Sequence, residues 1–536
     1  MYLATPGIRK DMVANLKTEL SAQLPAYLKG QRWFGAKARE IRAAQVADVI
    51  SLQREALNAV VALVCVEYEG GGADLYALPL VAREPDAPEV AEGGAAVLKV
   101  AGRAGHESVV FADALKEEKF LAFLLDAIQR GLIFTGENGE LRAANTRALT
   151  LQETGAAGSL QPRAIAAEQS NSSIAYGERL MLKFFRRLEE GVNPDLEMTR
   201  FLTEKAGYPH TPQLLGSLEY WTAQGTRMTQ GILQTFVPNQ GDAWKYTMRA
   251  VSDFYNEVGE VVPGSEGMAA IPDAARAPME TFLESVALLA RRTAELHLAL
   301  SAAPAGEHGD FAPETYDAKF QEGFEQALFE LTRRTFYQLR KSGESMRPEL
   351  RAQALLILAE EEKITARFHA ALAQPIRAMR TRIHGDFHLG QVLYTGVDFF
   401  IIDFEGEPAR PMSQRRLKRS PLQDVAGMLR SFHYAAYAPL LAETGEVRLD
   451  DANRSNLNAW AKVWATVVAG RYLEEYLKVA GGASFLPPTR AEVLSLLQLH
   501  LLEKAVYELG YELNNRPDWV AIPLEGISEI LQRTTD

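Results

Sequence analysis

Two short segments carry the residues that could do chemistry. The first, Arg382-Ile-His-Gly-Asp-Phe-His-Leu-Gly-Gln391, places a carboxylate at Asp386 and a carboxamide five residues later at Gln391. The second is the apolar run Phe399-Phe-Ile-Ile402, which delivers another carboxylate at Asp403. One carboxylate that orients a hydroxyl nucleophile, together with two oxygen ligands for magnesium, suits phosphoryl transfer from a nucleotide. The spacing therefore predicts a phosphotransferase catalytic loop.

Each of the three oxygen donors has a distinct expected role. Asp386 would accept a hydrogen bond from the attacking hydroxyl and take its proton late in the transfer. Gln391 and Asp403 would bind Mg²⁺, a hard cation that prefers oxygen ligands. The triplet His-Gly-Asp is a weak signal by itself, because Gly-Asp is a common turn.

A cation for the nucleotide phosphates lies earlier in the chain. Lys183, near the end of the strand-like run from Arg179 to Phe185, would reach the α and β phosphates. Glu197, on a helix that begins near Pro194, would hold this lysine by an ion pair. Each residue alone is more often a solvated surface charge. Their order before the catalytic loop and the strand aspartate carries the prediction.

A polar segment, Gln169-Ser-Asn-Ser-Ser173, precedes the lysine strand and is predicted to form a turn. Short polar side chains and backbone N–H groups in a turn can face phosphate oxygens. A plain polar hairpin is the alternative. The ATP contacts that we predict here are Ser170, Asn171, Ser172 and Ser173.

Length and composition bound the class of protein. A chain of 536 residues should fold into two to four compact units. Its net charge of -12 argues against a general nucleic-acid binder, which needs a basic surface. The single cysteine, Cys65, is expected on a buried strand and excludes disulfide frameworks within the chain. We find no secretory leader and no apolar stretch of about 18 residues, so we expect a cytoplasmic protein without a membrane partner.

The pattern of apolar residues divides the chain into two halves. The first hundred residues predict a helix near 11–28 and strands at 46–52, 59–68 and 74–81. A further helix is predicted at 113–128, because its apolar residues recur at helical spacing. From about Met248 onward the chain is mainly helical, and short strands around the catalytic loop interrupt it. We therefore expect an α+β protein with a larger, helical C-terminal half.

Six longer segments together resemble the maltokinase family, which belongs with the aminoglycoside-phosphotransferase-like and protein-kinase-like folds. The resemblance runs from residue 31 to residue 519 and includes the maltokinase domains fused to trehalose synthases. The segments that carry it are Gln31-Arg-Trp-Phe-Gly-Ala-Lys-Ala-Arg39, Glu168-Gln-Ser-Asn-Ser-Ser173, Leu182-Lys-Phe-Phe-Arg-Arg-Leu-Glu189 with Gly191-Val-Asn-Pro-Asp-Leu-Glu197, His384-Gly-Asp-Phe-His-Leu-Gly-Gln-Val-Leu393, Asp403-Phe-Glu-Gly-Glu-Pro408 and Leu513-Asn-Asn-Arg-Pro-Asp-Trp519.

The resemblance implies a bilobal protein-kinase-like fold with an extra N-terminal cap. The implied domains are a cap at 1–105, a nucleotide-binding subdomain at 106–240 and a helical C-lobe at 241–536. The implied activity is ATP-dependent phosphorylation of maltose at its anomeric hydroxyl, which gives maltose 1-phosphate for α-glucan (glycogen) synthesis. A trehalose synthase would be a candidate partner. Gln391 stands where the wider superfamily has asparagine, and glutamine fits the maltokinase subgroup.

Further residues take roles by position in the family. The segment Gln234-Thr-Phe-Val237 resembles the hinge whose backbone meets adenine, with an ordinary edge strand as the alternative. Asp424 resembles the aspartate that braces the catalytic loop through backbone N–H groups. His384 and His388 are expected to shape that loop rather than to act as bases.

Sugar recognition needs hydrogen-bonding side chains and an aromatic platform, and one predicted C-terminal helix offers both. A core-facing tyrosine stripe with surface charges is the alternative. The residues that we predict as sugar contacts are Lys504, Tyr507, Glu508, Tyr511, Glu512, Asn515 and Arg516.

Two other functions compete with the maltose kinase. One is a kinase of another sugar, such as glucosamine or glucose. The other is an inert kinase-like module that binds glycan or acts as a scaffold. The presence of Lys183, Asp386 and Asp403 together argues against the inert module, which need not keep all three.

Overall fold

The computed structural model describes residues 10–54, 57–83, 98–100, 109–151, 160–165, 171–258, 261–263, 271–303, 309–408, 410–441 and 451–532. The chain divides into two compact units. The first unit comprises Met1–Thr203 and Pro212–Pro238, and the second comprises Glu204–Thr211 and Asn239–Asp536.

The first unit begins with a helix and an antiparallel sheet. Helix α1 (Lys10–Lys29) precedes strands β1 (Ile41–Arg54), β2 (Leu57–Tyr68), β3 (Ala73–Arg83), β4 (Leu98–Val100) and β5 (Val109–Asp113). Their order is β1-β2-β3-β5-β4. Most of β2 is buried because β-branched and aliphatic residues fill both of its faces. Cys65 lies on β2 as predicted, but it is only partly buried.

A second antiparallel sheet holds the lysine strand. Its strands are β6 (Ile133–Thr135), β7 (Gly139–Asn145), β8 (Pro162–Ile165), β9 (Asn171–Tyr176), β10 (Leu180–Phe185), β12 (Leu214–Thr222) and β13 (Arg227–Thr235). Their order is β6-β7-β12-β13-β10-β9-β8. Immediately after β10 the chain joins the first sheet, because β11 (Arg187–Leu188) pairs with β3.

Three helices accompany this sheet: α2 (Glu118–Arg130), α3 (Arg147–Leu151) and α4 (Pro194–Phe201). Phe120 and Leu124 of α2 are buried in one core with Leu182 and Leu218 of the sheet. Each such buried side chain contributes about 1.5–3 kcal/mol of transfer free energy. The predicted helix at 113–128 begins late, because Asp113 caps a short 3-10 turn before α2 starts.

The second unit is mainly helical. Its helices are α5 (Ala243–Val258), α6 (Asp273–Leu300), α7 (Ala318–Ser342), α8 (Pro348–Ala359), α9 (Glu361–Leu372), α10 (Met412–Arg415), α11 (Pro421–Leu441), α12 (Asp451–Ala480), α13 (Arg490–Asn515) and α14 (Ala521–Gln532). Two small antiparallel sheets interrupt them: a long-range pair of β14 (Glu314–Thr315) with β15 (Met379–Arg380), and a hairpin of β16 (Val392–Tyr394) with β17 (Phe399–Ile401).

Helix α13 is positioned by its first turn and by one apolar face. Thr489 and Glu492 form a reciprocal capping box at its start. Leu502, Val506 and Leu509 then pack in a core built from α7, α9, α13 and α14. Lysine, tyrosine and glutamate residues at the intervening positions lie on the other faces of the helix.

The expected α+β class with a mainly helical second half is confirmed. The boundary near residue 105 between a cap and a nucleotide-binding subdomain stays a prediction. Within the described part of the chain, none of the helices combines the length and the apolar character that a membrane span requires.

Candidate active site

The catalytic loop leaves a buried stretch and ends in a 3-10 turn that leads into β16. Gly385 adopts φ 83°, a left-handed conformation that favours glycine. Leu389–Gln391 form the 3-10 turn. Asp386 lies between these points with its side chain 22% exposed, which leaves the carboxylate accessible.

Asp424, in the first turn of α11, holds the loop through backbone groups. Its carboxylate accepts hydrogen bonds from His384 N at 2.7 Å and Gly385 N at 2.9 Å. His297 Nε2 lies 3.1 Å from the same carboxylate, and its Nδ1 lies 2.8 Å from the Tyr476 hydroxyl. Burial alone would raise the pKa of Asp424, but these hydrogen bonds and the nearby histidines hold it below its ordinary value. These are the contacts that the predicted bracing role requires.

The two histidines of the loop make local hydrogen bonds. His384 Nε2 lies 2.9 Å from the carbonyl oxygen of Ile402, and its Nδ1 faces Asp386 N at 3.4 Å. Nε2 is thus placed to donate to the carbonyl oxygen of Ile402, and Nδ1 to accept from the backbone of Asp386. His388 Nδ1 accepts from Gly390 N at 3.1 Å, and burial lowers the pKa of His388. Both rings have the geometry of loop-shaping groups.

The β16–β17 hairpin brings the backbone of Gln391 next to the residue before Asp403. Ile402 N donates to the carbonyl oxygen of Gln391 at 3.0 Å, directly before Asp403. Among the described residues, Asp403 is the only non-glycine with a positive φ, at 67°. Such backbone strain is common at functional sites. A carboxylate oxygen of Glu405 lies within 4.8 Å of one of Asp403, which adds a third oxygen donor. Hard oxygen donors of this kind fit Mg²⁺.

Helix α13 presents a lysine to Asp386. Lys504 Nζ lies 3.8 Å from Asp386 Oδ1 and 3.6 Å from Glu407 Oε1. Glu407 is buried and also pairs with Arg410. Burial and the charge of Glu407 raise the pKa of Tyr507 to about 12, while Lys504 opposes this shift. Lys504 and Tyr507 therefore share the electrostatic surroundings of Asp386.

The other predicted sugar contacts have partners within the protein. Glu508 accepts a hydrogen bond from Arg430 Nε at 2.8 Å. Glu512, 1% exposed, accepts from the Tyr434 hydroxyl at 3.1 Å and from Arg516 Nε at 2.9 Å. Asn515 Nδ2 donates to the backbone oxygen of Tyr511, whose ring is 46% exposed. Of the predicted set, the structure places Lys504 against Asp386.

The helix that follows the lysine strand places a carboxylate against Lys183. Asn193 caps α4, and Pro194 occupies its first turn. Lys183 Nζ lies 3.1 Å from Asp195 Oδ2, a carboxylate that is 3% exposed. Asp195 lies on the buried face of the first helical turn, two positions before Glu197. The ion pair of Lys183 with Glu197, and a nucleotide role for Glu197, stay predictions.

The described part of the polar segment before Lys183 is a strand. Asn171, Ser172 and Ser173 form the start of β9 and pair with β10, where Ser173 lies opposite Lys183. The prediction that these three residues lie in a turn is therefore wrong, because β10 offers them a complete strand partner. Ser172 Oγ accepts a hydrogen bond from Arg186 Nε at 3.2 Å. Ser170 lies outside the described residues.

The predicted adenine hinge lies at the end of an interior strand. Gln234 is on β13, which pairs with both β10 and β12, so the edge-strand alternative is wrong. Gln234 Nε2 donates to Thr199 Oγ1 at 3.3 Å, and Val237 is buried. The chain passes into the second unit after Pro238. Adenine binding by this segment stays a prediction.

Sequence reasoning missed three carboxylates. Glu405 and Glu407 follow Asp403 at alternate positions, within a segment that the family resemblance had already singled out. That run of acidic residues was the signal for both. Asp195 directly follows the helix-starting Asn-Pro pair, and only the strand-to-helix geometry distinguishes it from Glu197.

Comparisons with known families match the two halves of this description. The maltokinase N-terminal cap domain matches residues 27–116. The phosphotransferase enzyme family matches residues 162–460, which is more than half of the chain. Among curated relatives, a glucosamine kinase of Mycolicibacterium smegmatis is 24% identical over 375 residues, 70% of this chain and 80% of that kinase. A glucosamine kinase of Streptacidiphilus jiangxiensis is 24% identical over 387 residues, 70% of this chain and 75% of that kinase.

Solved structures show the same fold over nearly the whole chain. A glucosamine kinase in complex with glucosamine, ADP and inorganic phosphate has a TM-score of 0.61 at 19% identity, covering 94% of this chain and 96% of its own. Another crystal form has a TM-score of 0.63 at 19% identity, covering 96% and 99%. The expected kinase-like fold with an N-terminal cap is thus confirmed. The chain belongs to the phosphotransferase enzyme family and carries a maltokinase-type cap domain.

Proposed function

We propose that this protein is an ATP-dependent sugar kinase that phosphorylates maltose at its anomeric hydroxyl. The products would be maltose 1-phosphate and ADP. The observation that carries the proposal is the accessible Asp386 on a loop that Asp424 holds by two backbone hydrogen bonds. A preorganised carboxylate of this kind can position a hydroxyl for in-line attack on phosphorus.

In this proposal Asp386 accepts the hydrogen bond of the acceptor hydroxyl and takes its proton as the new P–O bond forms. Asp424 and His384 keep the loop in the geometry that this contact needs. Lys183, held by Asp195, would contact the phosphates of ATP within the first unit. Ser172, Ser173 and the hinge segment at Gln234 would complete the nucleotide contacts.

Gln391 and Asp403, with Glu405 beside Asp403, would hold magnesium. Bound there, the cation would neutralise charge on the phosphoryl group during transfer. The pairing of β16 with β17 would hold the backbone of Gln391 close to that of Asp403. The enzyme would act in the cytoplasm, where ATP is available, and a trehalose synthase is the partner that we propose for maltose supply.

The identity of the acceptor has two candidates. Maltose is favoured by the maltokinase-type cap and by the motifs around Gln391 and Asp403. Glucosamine is favoured by the relatives that carry that name, one of them solved with glucosamine bound. These relatives are about one quarter identical or less, so the acceptor must be found by experiment.

A sugar panel tests the proposal directly. The full chain is incubated with ATP, Mg²⁺ and either maltose, glucose, glucosamine or trehalose, and phosphorus NMR identifies the product. An anomeric phosphate formed from maltose supports the first candidate. A product formed with glucosamine alone would replace it with the second. ADP release without any sugar phosphate would contradict both.

A further inference from the structure

Lys504 occupies an unusual position for a residue that was predicted only to contact sugar. Its ammonium lies between the carboxylates of Asp386 and Glu407, at 3.8 Å and 3.6 Å. Its side chain is 23% exposed, so water screens these contacts only in part. The Lys504 ammonium therefore contacts both carboxylates at once.

The positive and negative charges around Lys504 are balanced. Glu407 is shared by Lys504 and Arg410. One turn along α13, Glu508 is paired with Arg430 at 2.8 Å. Each of the carboxylates named here therefore has a cation of the protein against it. Burial alone would lower the pKa of Lys504, but Glu407, Asp386 and Glu508 together raise it, which keeps the side chain charged.

We infer that Lys504 positions the catalytic base and selects for an uncharged sugar as the acceptor. The inference rests on the proposed function, because it takes Asp386 as the group that receives the acceptor hydroxyl. A fixed cation against Asp386 restricts where its carboxylate can lie, which favours the geometry of proton transfer. The same cation repels an ammonium group on an incoming sugar. Lys504 thus acts through Asp386 and through charge, without donating to the sugar itself.

The inference distinguishes the two acceptor candidates by their charge. Maltose is neutral and would bind beside Lys504, where the positive and negative charges of the protein already balance. Glucosamine carries an ammonium at neutral pH and would add a second cation near Lys504. Removing the lysine charge should therefore harm the neutral sugar more than the charged one.

Lys504→Met tests this with little change in side-chain volume, and Lys504→Arg keeps the charge. We expect Lys504→Met to lower kcat for maltose at least tenfold with a smaller change in KM. We also expect the ratio of kcat/KM for maltose to that for glucosamine to fall at least fivefold. Lys504→Arg should recover most of both losses. Lys462→Met, which removes the same charge from α12, is the matched control and should change neither quantity.

The results separate this inference from the proposed function. Equal losses on both sugars, or a kcat within twofold of wild type in Lys504→Met, would overturn the inference while the kinase activity stands. If wild-type protein phosphorylates no sugar, the proposed function fails. The positioning role is then measured on the slow hydrolysis of ATP by water. A fivefold loss in Lys504→Met that Lys504→Arg restores supports it, and equal rates in all three proteins overturn it. Thermal melting of each variant excludes unfolding as the cause.

Discussion

The lysine strand of the first unit and the catalytic loop of the second unit hold their carboxylates in different ways. Asp195 is almost fully buried, and a side chain on a neighbouring strand, Lys183, is its partner. Asp386 is accessible, and its position depends on backbone N–H groups that Asp424 holds. A loop fixed through its backbone can leave its functional side chain free to meet a substrate, whereas a buried ion pair fixes both of its members.

The largest effect that this contrast predicts is on Asp386. Asp386→Ala should lower kcat by about 10²- to 10⁴-fold, because a positioned general base contributes a factor of that order. Its melting temperature should stay close to that of wild type, since the side chain supports no core. Initial rates of ADP release with saturating sugar, paired with thermal melting, check both parts. Turnover within tenfold of wild type would show that the accessible carboxylate is not the base.

The buried pair of the first unit should show its effect in nucleotide binding. Asp195→Asn should raise KM for ATP by about tenfold, because loss of a charge-assisted hydrogen bond to Lys183 is worth about 1.4 kcal/mol or more. Glu197→Gln, two positions along α4, tests the partner that the sequence predicted for the same lysine. Steady-state kinetics with varied ATP separates them. A larger effect from Glu197→Gln would return the role to the residue that the sequence suggested.

The backbone brace of the catalytic loop should affect activity and stability together. Asp424→Asn should lower the free energy of unfolding by about 2 kcal/mol at neutral pH, because buried N–H groups lose a charged acceptor. The pKa of Asp424 lies below its ordinary value, so its stabilisation is present above the unfolded-state pKa and is lost as pH falls through the folded-state pKa.

Urea unfolding between pH 3 and pH 7 measures this effect. The gap between wild type and Asp424→Asn should be widest near pH 7 and should shrink below about pH 4. Asp310→Asn changes an exposed aspartate of the same unit and should leave the unfolding free energy within about 0.5 kcal/mol. A gap that stays constant with pH would show that the carboxylate charge does not hold the loop.

The two regions also differ in how far the sequence predicted them. The loop from His384 to Gln391 was predicted from its spacing, which short-range backbone geometry sets, whereas Asp424 was predicted only from the family resemblance. The lysine strand was predicted, but the contact with Asp195 was not, because Asp195 and Glu197 both begin the same helix. The packing of α4 against the strand brings Asp195 to Lys183, and local sequence signals do not encode that packing.

The contacts of charged side chains on helix α13 could not be predicted either, because they also depend on packing between distant segments. Its start, its length and its apolar face follow from local signals, including the capping box at Thr489. The direction of each charged side chain depends on residues far away in sequence. Lys504 meets Asp386 and Glu512 meets Tyr434, and neither partner could be assigned from the spacing of residues on α13.

Glu512 gives the smallest expected effect and the sharpest test of which α13 residues serve the substrate. Its carboxylate is buried between Tyr434 and Arg516, so we expect Glu512→Gln to change KM for the sugar by less than about twofold, within the range of a near-neutral substitution. Burial raises the pKa of Glu512, while Arg516 and Tyr434 oppose the shift. Its stabilisation is therefore present below the unfolded-state pKa and is lost as pH rises through the folded-state pKa.

Replacing this carboxylate by an amide of the same shape should thus change the unfolding free energy at pH 7 by less than about 1 kcal/mol, because Arg516 is 44% exposed and water solvates its charge. The free energy of unfolding of the variant should fall furthest below that of wild type at acid pH, where the native carboxyl is protonated. Urea unfolding at pH 4 and pH 7, with sugar kinetics at pH 7, measures both. A tenfold rise in KM would place Glu512 in the substrate site, and the part of α13 that recognises sugar would then extend a full two turns beyond Lys504.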